Sequence, residues 1–246
     1  MKTGIQVSSL KPLLKTEAQV YDAFRKMADL GCEAVQVQWV DPAVPIETIA
    51  AALRETGLYS VGTQDFYDLV HENTGYYTRL NQLTGGEWLC VSRVPERLKS
   101  REGLGSYVGE LQTLQKDIAP LGQRLCFHPV AADYAPIDGV VPVEYLLEQM
   151  PDLQLCLDLY HLNRCGFNMP EWILAHAGRI CMAHFKDGID GRLTPAGQGS
   201  VNWRGVTKAC VEAGVAYGFV EQESWDRDPF DCLGEALAWL NKELEA

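Results

Sequence analysis

The chain has 246 residues, 47% of them hydrophobic, with a formal net charge of −12 and five histidines. This composition excludes a disordered or low-complexity chain, and the acidic balance argues against a nucleic-acid surface, which needs a basic stripe. The eight cysteines form no Cys-x-x-Cys pair, and most lie in apolar runs (Cys90, Cys126, Cys156, Cys181). Reduced, buried thiols are therefore expected, not a disulfide framework or a zinc knuckle.

The opening Met1-Lys2-Thr3-Gly4-Ile5-Gln6-Val7 reads straight into a strand with no signal-peptide pattern, and no apolar run is long enough for a membrane span. A cytoplasmic protein with no membrane partner is the expectation.

In chain order, a short strand over residues 5–7 precedes a helix opened by the capping-box pattern Thr16-Glu17-Ala18-Gln19 and stopped at Gly31. Residues 33–39 form the second strand, with Val35, Val37 and Trp39 alternating against Gln36 and Gln38. A helix over 45–56 ends at Gly57, and the third strand covers 58–63. A helix over 68–83, interrupted near Gly75, leads to the fourth strand at 88–91. An amphipathic helix over 105–118 precedes the fifth strand, 124–127, which ends in His128 and Pro129. A helix over 143–150, the sixth strand over 154–157, a helix over 169–177 and the seventh strand over 180–185 follow. Asn202 is placed to cap a helix running to residue 213; the eighth strand covers 216–220, and a helix over 229–244 closes the chain.

Eight strand-plus-helix units with no linker predict a parallel sheet. In a chain of this length they predict a single (β/α)8 barrel occupying residues 1–246 as one domain. An open doubly wound sheet is disfavoured, because no Gly-x-Gly-x-x-Gly follows the first strand.

Three apolar strands break abruptly into ionisable groups. Leu155-Cys156-Leu157 ends at Asp158, with His161 three residues on. The run from Ile180 ends at His184, followed by Lys186 and Asp187, and Tyr217-Gly218-Phe219-Val220 ends at Glu221. In a barrel these ends share one face, where active sites sit. An acid at a strand end is often no more than a helix cap, and Lys186 with Asp187 can be read as a loop salt bridge. Together, Asp158, His184 and Glu221 form a mixed carboxylate–imidazole set suited to Mn²⁺, Mg²⁺ or Co²⁺, with Zn²⁺ also compatible.

These segments carry a resemblance. Asp158-Leu159-Tyr160-His161 is similar to an Asp-x-x-His motif, and His184-Phe185-Lys186-Asp187 to a His-x-Lys-Asp motif. Pro195-Ala196-Gly197-Gln198-Gly199-Ser200-Val201-Asn202-Trp203 is similar to Pro-x-Gly-x-Gly-x-x-Asp-Trp, and Val220-Glu221-Gln222-Glu223 to an apolar-Glu-x-Asp/Glu strand end. In these features the chain resembles the xylose isomerase-like TIM barrels of the sugar phosphate isomerase/epimerase group. The resemblance implies that Asp158, His184 and Glu221 bind a divalent metal. It also implies that His161 and Lys186 contact substrate oxygens, and that the loop with Gly197 and Gly199 lies over the pocket.

That family's usual fourth ligand, a glutamate ending the fifth strand, is absent here. His128 stands at that place as a nitrogen ligand, with Asp133 the weaker substitute. Asn202 stands where the family often has Asp, and Gln198 where it often has Glu.

The implied reaction is a metal-dependent isomerisation or epimerisation of a sugar or keto-sugar in carbohydrate metabolism. Glu221 would move the proton, and His128 or His161 would act as the second acid/base. A lyase or dehydratase of the inosose-dehydratase type is the alternative, favoured by the loss of one glutamate, and a non-catalytic sugar-binding barrel is the third reading. The nuclease branch of the fold is disfavoured by the few histidines and the acidic charge. A carbohydrate small molecule is the expected partner, and the resemblance adds dimers or tetramers as common states. Trp39, Phe66, Trp203 and Trp225 are candidates to line a sugar-sized pocket, although aromatics at strand ends more often belong to the core.

Overall fold

The computed structural model describes residues 1–245. Eight parallel strands close into a barrel: β1 (Lys2–Gln6), β2 (Ala34–Val37), β3 (Tyr59–Phe66), β4 (Trp88–Ser92), β5 (Arg124–His128), β6 (Gln154–Asp158), β7 (Ile180–Phe185) and, after a two-stranded insertion, β10 (Tyr217–Val220). The insertion is an antiparallel hairpin of β8 (Asp187–Ile189) and β9 (Arg192–Thr194). β1 pairs with β10 from Lys2↔Tyr217 to Ile5↔Val220, which closes the ring.

Ten α-helices surround it: α1 (Glu17–Asp29), α2 (Ile46–Thr56), α3 (Tyr67–Glu72), α4 (Thr74–Thr84), α5 (Arg101–Ile118), α6 (Pro142–Gln149), α7 (Leu159–Arg164), α8 (Met169–Ala175), α9 (Val206–Glu212) and α10 (Pro229–Glu245). The architecture is the expected (β/α)8 TIM barrel. No helix among the described residues is long and apolar enough to cross a membrane.

Strands buried on both faces carry two sets of side chains. Val35, Leu89, Val91, Phe127, Leu155, Leu157 and Phe185 join the large core between strands and helices. Inward-facing Cys90, Cys126, Cys156, Met182 and Phe219 belong to a second, smaller core that plugs the barrel below its mouth. Two glycines let neighbouring strands close up: a Cβ on Gly4 would meet the Ala34 carbonyl oxygen at 2.2 Å, and one on Gly62 the Trp88 carbonyl oxygen at 2.1 Å.

Several local expectations need correction. The first strand stops at Gln6, and Val7–Leu13 winds into a 3₁₀ helix. The second strand is shorter than 33–39, because Trp39 takes a left-handed φ of 58° that a strand cannot continue through. The third runs on to Phe66. Thr16 Oγ1 accepts from the Gln19 amide, but the Gln19 side chain returns to the Lys15 amide, one residue short of a true box. Asn202 does not cap α9: its Oδ1 accepts from the Arg204 amide in a turn, and the helix starts after Gly205.

The hairpin was signalled by Asp190-Gly191. Both residues have positive φ (51° and 78°), as a two-residue type I′ turn requires. Helix α7 is new as well, and only six residues long.

Candidate active site

The strand ends bring all six predicted residues to one mouth. Asp158 closes β6 with 1% exposure, and its two oxygens do different things. Oδ1 accepts from the His161 amide at 2.9 Å and caps α7. Oδ2 is buried with no hydrogen-bond partner among the described residues. Cap and candidate ligand are thus the two halves of one carboxylate. His128 Nε2 lies 3.9 Å and His161 Nε2 3.8 Å from that free oxygen.

His184 is fully buried at the end of β7. Its Nε2 donates to Gln36 Oε1 at 2.6 Å, and the Cys156 sulfur is 3.2 Å away. Gln6 Nε2 also donates to Gln36 Oε1, at 3.0 Å, which orients that carboxamide. The opposite ring atom, Nδ1, lies 3.2 Å from Glu221 Oε2, yet neither atom has a hydrogen-bond partner of acceptable geometry.

At His128, Ser92 Oγ sits 3.0 Å from Nδ1 and 3.4 Å from the His128 carbonyl oxygen. With the hydroxyl proton directed to that carbonyl, Nδ1–H donates to Oγ and Nε2 keeps its lone pair. His128 Nε2 is likewise buried and unpartnered.

One ligand atom each from His128, Asp158 and His184 lie within 4.8 Å of one another. Opposite ligands of a hard divalent cation are about 4–5 Å apart. Buried polar atoms without partners cost free energy, and His128, Asp158, His184 and Glu221 each carry one, a pattern that a cation held by the first three would relieve. The residues present therefore fit a divalent ion: two imidazoles, Asp158 and, at the edge of the cluster, Glu221.

The electrostatics are strongly coupled. Burial works against the charge on Glu221, but Lys186 and then His184 overcome it and hold the carboxyl far below its ordinary value. Burial also opposes a charge on Asp158, and His161 and Lys186 keep its carboxyl low. Lys186 is held above its ordinary value against burial, by Glu221, Asp158 and Glu223. Burial, then the neighbouring His184, push His128 down to about 3, so it is neutral near pH 7. Burial disfavours a proton on His184 too, but Cys156 and Glu221 outweigh it and raise the imidazole.

Lys186 donates to Glu223 Oε1 at 2.5 Å and is 4.0 Å from Glu221 Oε2, so it forms no salt bridge with Asp187. Burial and the nearby Glu221 push Glu223 up to about 7. Asp187 instead gathers the loop after the hairpin. Its carboxylate accepts from the amides of Gly188, Gly197, Gly199 and Val201 and from Trp203 Nε1, at 2.8–3.1 Å. A Cβ on Gly199 would meet Asp187 Oδ1 at 2.1 Å, which explains the glycine.

Other candidates do not join the cluster. Asp133 spends its oxygens on the Val94 and Val130 amides. Trp203 is core, stacked on Phe185, and Trp225 Nε1 donates to the Ser9 and Gln222 carbonyls. Trp39 and Phe66 do line a cavity, on the β2–β3 side of the mouth.

Sequence reading missed Ser8, whose hydroxyl donates to Glu221 Oε1 at 3.1 Å, together with Gln36, Ser92, Cys156 and Glu223. The usable signal was Gln36 itself: a polar residue in a barrel strand faces the interior, not solvent, and it is fully buried.

A search of curated proteins gives no match. Among solved structures, a sugar phosphate isomerase/epimerase from Parabacteroides distasonis ATCC 8503 superposes with a TM-score of 0.80 at 15% identity, over 97% of this chain and 92% of that one. L-ribulose 3-epimerase gives 0.78 at 17%, over 100% and 95%. The probable 3-DHS dehydratase AsbF involved in petrobactin synthesis, from Bacillus anthracis, gives 0.75 at 14%, over 98% and 99%. At these identities the likeness is one of fold. The sequence model for the xylose isomerase-like TIM barrel matches residues 24–243, so the chain belongs to that family.

Proposed function

We propose that the protein is a divalent-cation-dependent isomerase or epimerase of a sugar or keto-sugar, the whole chain acting as one catalytic unit. The observation that carries this reading is the buried cluster of His128, Asp158 and His184, one ligand atom of each within 4.8 Å of the others, with Glu221 Oε2 3.2 Å from His184 Nδ1 and Lys186 beside it. Those residues would hold Mn²⁺, Mg²⁺ or Co²⁺, with Zn²⁺ also compatible with the two imidazoles. When bound, such an ion polarises a carbonyl or hydroxyl of the substrate.

The remaining roles belong to the chain's own side chains. Glu221, kept ionised by Lys186 and His184, is the group that takes a proton from the carbon beside the substrate carbonyl. Ser8 fixes its other oxygen. Lys186 is placed to bind a substrate oxygen, and half-buried His161 to bind another or to return a proton from the rim. His128, neutral near pH 7, serves as a ligand and not as a proton donor.

A lyase or dehydratase is the second reading. What favours it is His128 in place of a second glutamate at the end of β5, which removes the partner carboxylate that a two-base proton transfer would use there. β-Elimination needs one base and a leaving hydroxyl, not a second base on the opposite face.

Metal analysis of the purified protein tests the proposal. About one divalent ion per chain is expected in the wild type, as in single-metal carbonyl-polarising sites, and none in His184→Ala. If neither protein holds metal, a non-catalytic sugar-binding barrel becomes the better reading. Product analysis on keto-sugars separates isomerisation from elimination.

A further inference from the structure

On the β2–β3 side of the mouth lies a cavity of about 460 Å³. This is within the range of small-ligand pockets. None of His128, Asp158, His184 or Glu221 lines it. Trp39 and Phe66 form a tilted aromatic wall, with ring centroids 5.9 Å apart at 55°. Leu69, 42% exposed on α3, adds apolar surface at the lip.

The polar groups of this wall are buried. Thr63 is 1% exposed, and its Oγ1 has no hydrogen-bond partner among the described residues. Gln38 and Gln64, also buried, bring two carboxamides to the same lining. A buried hydroxyl without a partner is costly unless a bound molecule completes it.

The aromatic wall is also held in place. Trp39 keeps its left-handed backbone, a conformation that costs a non-glycine residue on the order of 1 kcal/mol. Its indole Nε1 donates to Asp65 Oδ1 at 3.2 Å, and Tyr77 donates to Oδ2 of the same carboxylate at 2.8 Å. Strained residues held by their surroundings cluster at ligand sites.

The chemistry discriminates among ligands. A pyranose ring offers a C–H face to an aromatic side chain and hydroxyls at its edge to amides, hydroxyls and carboxylates. A phosphate would need free cations. Lys15 is instead paired with Asp41 at 3.8 Å, and Lys11 and Arg93 lie over the Trp39 and Phe66 rings at 4.5 and 3.9 Å. The carboxylates of Asp41 and Asp65 also line this cavity and would repel a dianion.

The cavity wall reaches the back of the cluster, on the Nε2 side of His184. Gln64 lines it, and Gln64 Oε1 is 3.8 Å from the Cys156 sulfur, itself 3.2 Å from His184 Nε2.

We propose that this cavity is a second sugar subsite, so that the substrate is a glycoside or other two-unit saccharide. Its reacting unit sits at the cation cluster and its other pyranose ring lies against Trp39 and Phe66. The half concerning the reacting unit rests on the function proposed above; the cavity's affinity for a pyranoside does not.

The test is titration of the full-length protein with methyl β-D-glucopyranoside, followed by ligand-observed NMR. Saturable binding with a dissociation constant of roughly millimolar order is expected for the wild type. Leu69→Arg, at an exposed lip position that tolerates the change, should weaken it by about fivefold or more, and Trp39→Ala by about tenfold or more. Absence of saturable binding to the wild type overturns the second subsite, as does equal affinity in wild type and Leu69→Arg, while the metal content still judges the cluster. Glycoside binding by a protein that holds no metal supports the subsite and removes the catalytic reading instead.

Discussion

The two walls of the barrel mouth differ in kind. β5, β6, β7 and β10 lead into His128, Asp158, His184 and Glu221, all titratable. β1 to β4 and the turn after β1 present Ser8, Gln36, Gln64, Phe66 and Ser92, none of them titratable, and the one carboxylate at the end of β3, Asp65, is spent on Trp39 and Tyr77. Depth does not explain the contrast, because the register sets Ser92 opposite His128 and Asp158 opposite His184. The hydrogen bonds do: each of three charged-wall groups is oriented by a neutral one across the barrel or on the next strand. Gln36 takes the proton of His184 Nε2, Ser92 occupies His128 Nδ1, and Ser8 fixes Glu221 Oε1. Neutral orienters fix which nitrogen carries a lone pair without adding charge that would compete for a cation. In the function proposed above, one wall would do the chemistry, while the other orients its side chains.

That division can be broken at several points. The largest effect is expected from Glu221→Gln. Solvent-deuterium exchange at the substrate carbon should fall by about 10³-fold with the fold retained, and an unchanged rate would depose Glu221 as base. Next, Asp187→Ala strips the acceptor from four backbone amides and an indole. It should cost about 3 kcal/mol, or roughly 6–12 °C in melting temperature. A drop below about 3 °C would mean that the loop holds itself.

Gln36→Leu crosses the divide. It leaves all four candidate ligands in place, yet equilibrium ion binding should weaken by about 10–100-fold. Unchanged affinity would make the two walls independent.

The smallest effect concerns Asp133, just beyond β5, whose carboxyl burial raises to about 6 from an ordinary 3.8. A raised carboxyl binds more protons folded than unfolded. Its charged form is thus a destabilising feature, fully present above about pH 6 and relieved as pH falls toward 4. Wild type should gain about 1–2 kcal/mol relative to Asp133→Asn over that window in denaturant titrations, and parallel pH profiles would remove Asp133 from the account.

The barrel was legible because eight apolar runs alternate with helical patterns and several helices, α1, α2, α4 and α9 among them, stop at a glycine. The charged wall was legible for a related reason: an apolar strand that ends in Asp158, His184 or Glu221 stands out along the chain. The neutral wall was not. Alternation of Val35 and Val37 against Gln36 and Gln38 reads as a half-solvated strand, whereas in a closed barrel both faces are buried and the glutamines point inward. The short α7 hid inside the Asp-x-x-His segment, since Asp158 acts as ligand candidate and helix cap together. Trp39 could not be placed from alternation, because its backbone leaves the strand where the pattern would continue.

The Asp187 carboxylate has a consequence for how far the segment behind the hairpin can move. The stretch from Gly197 to Val201 is tied down at three amides to one buried point, and Trp203 anchors it from behind. Such a segment should behave as a fixed strap, its tied amides exchanging with solvent as slowly as those of a strand. No residue of that stretch lines the cavity beside Trp39 and Phe66, so this carboxylate stiffens one rim of the barrel and leaves the opposite side to its own side chains.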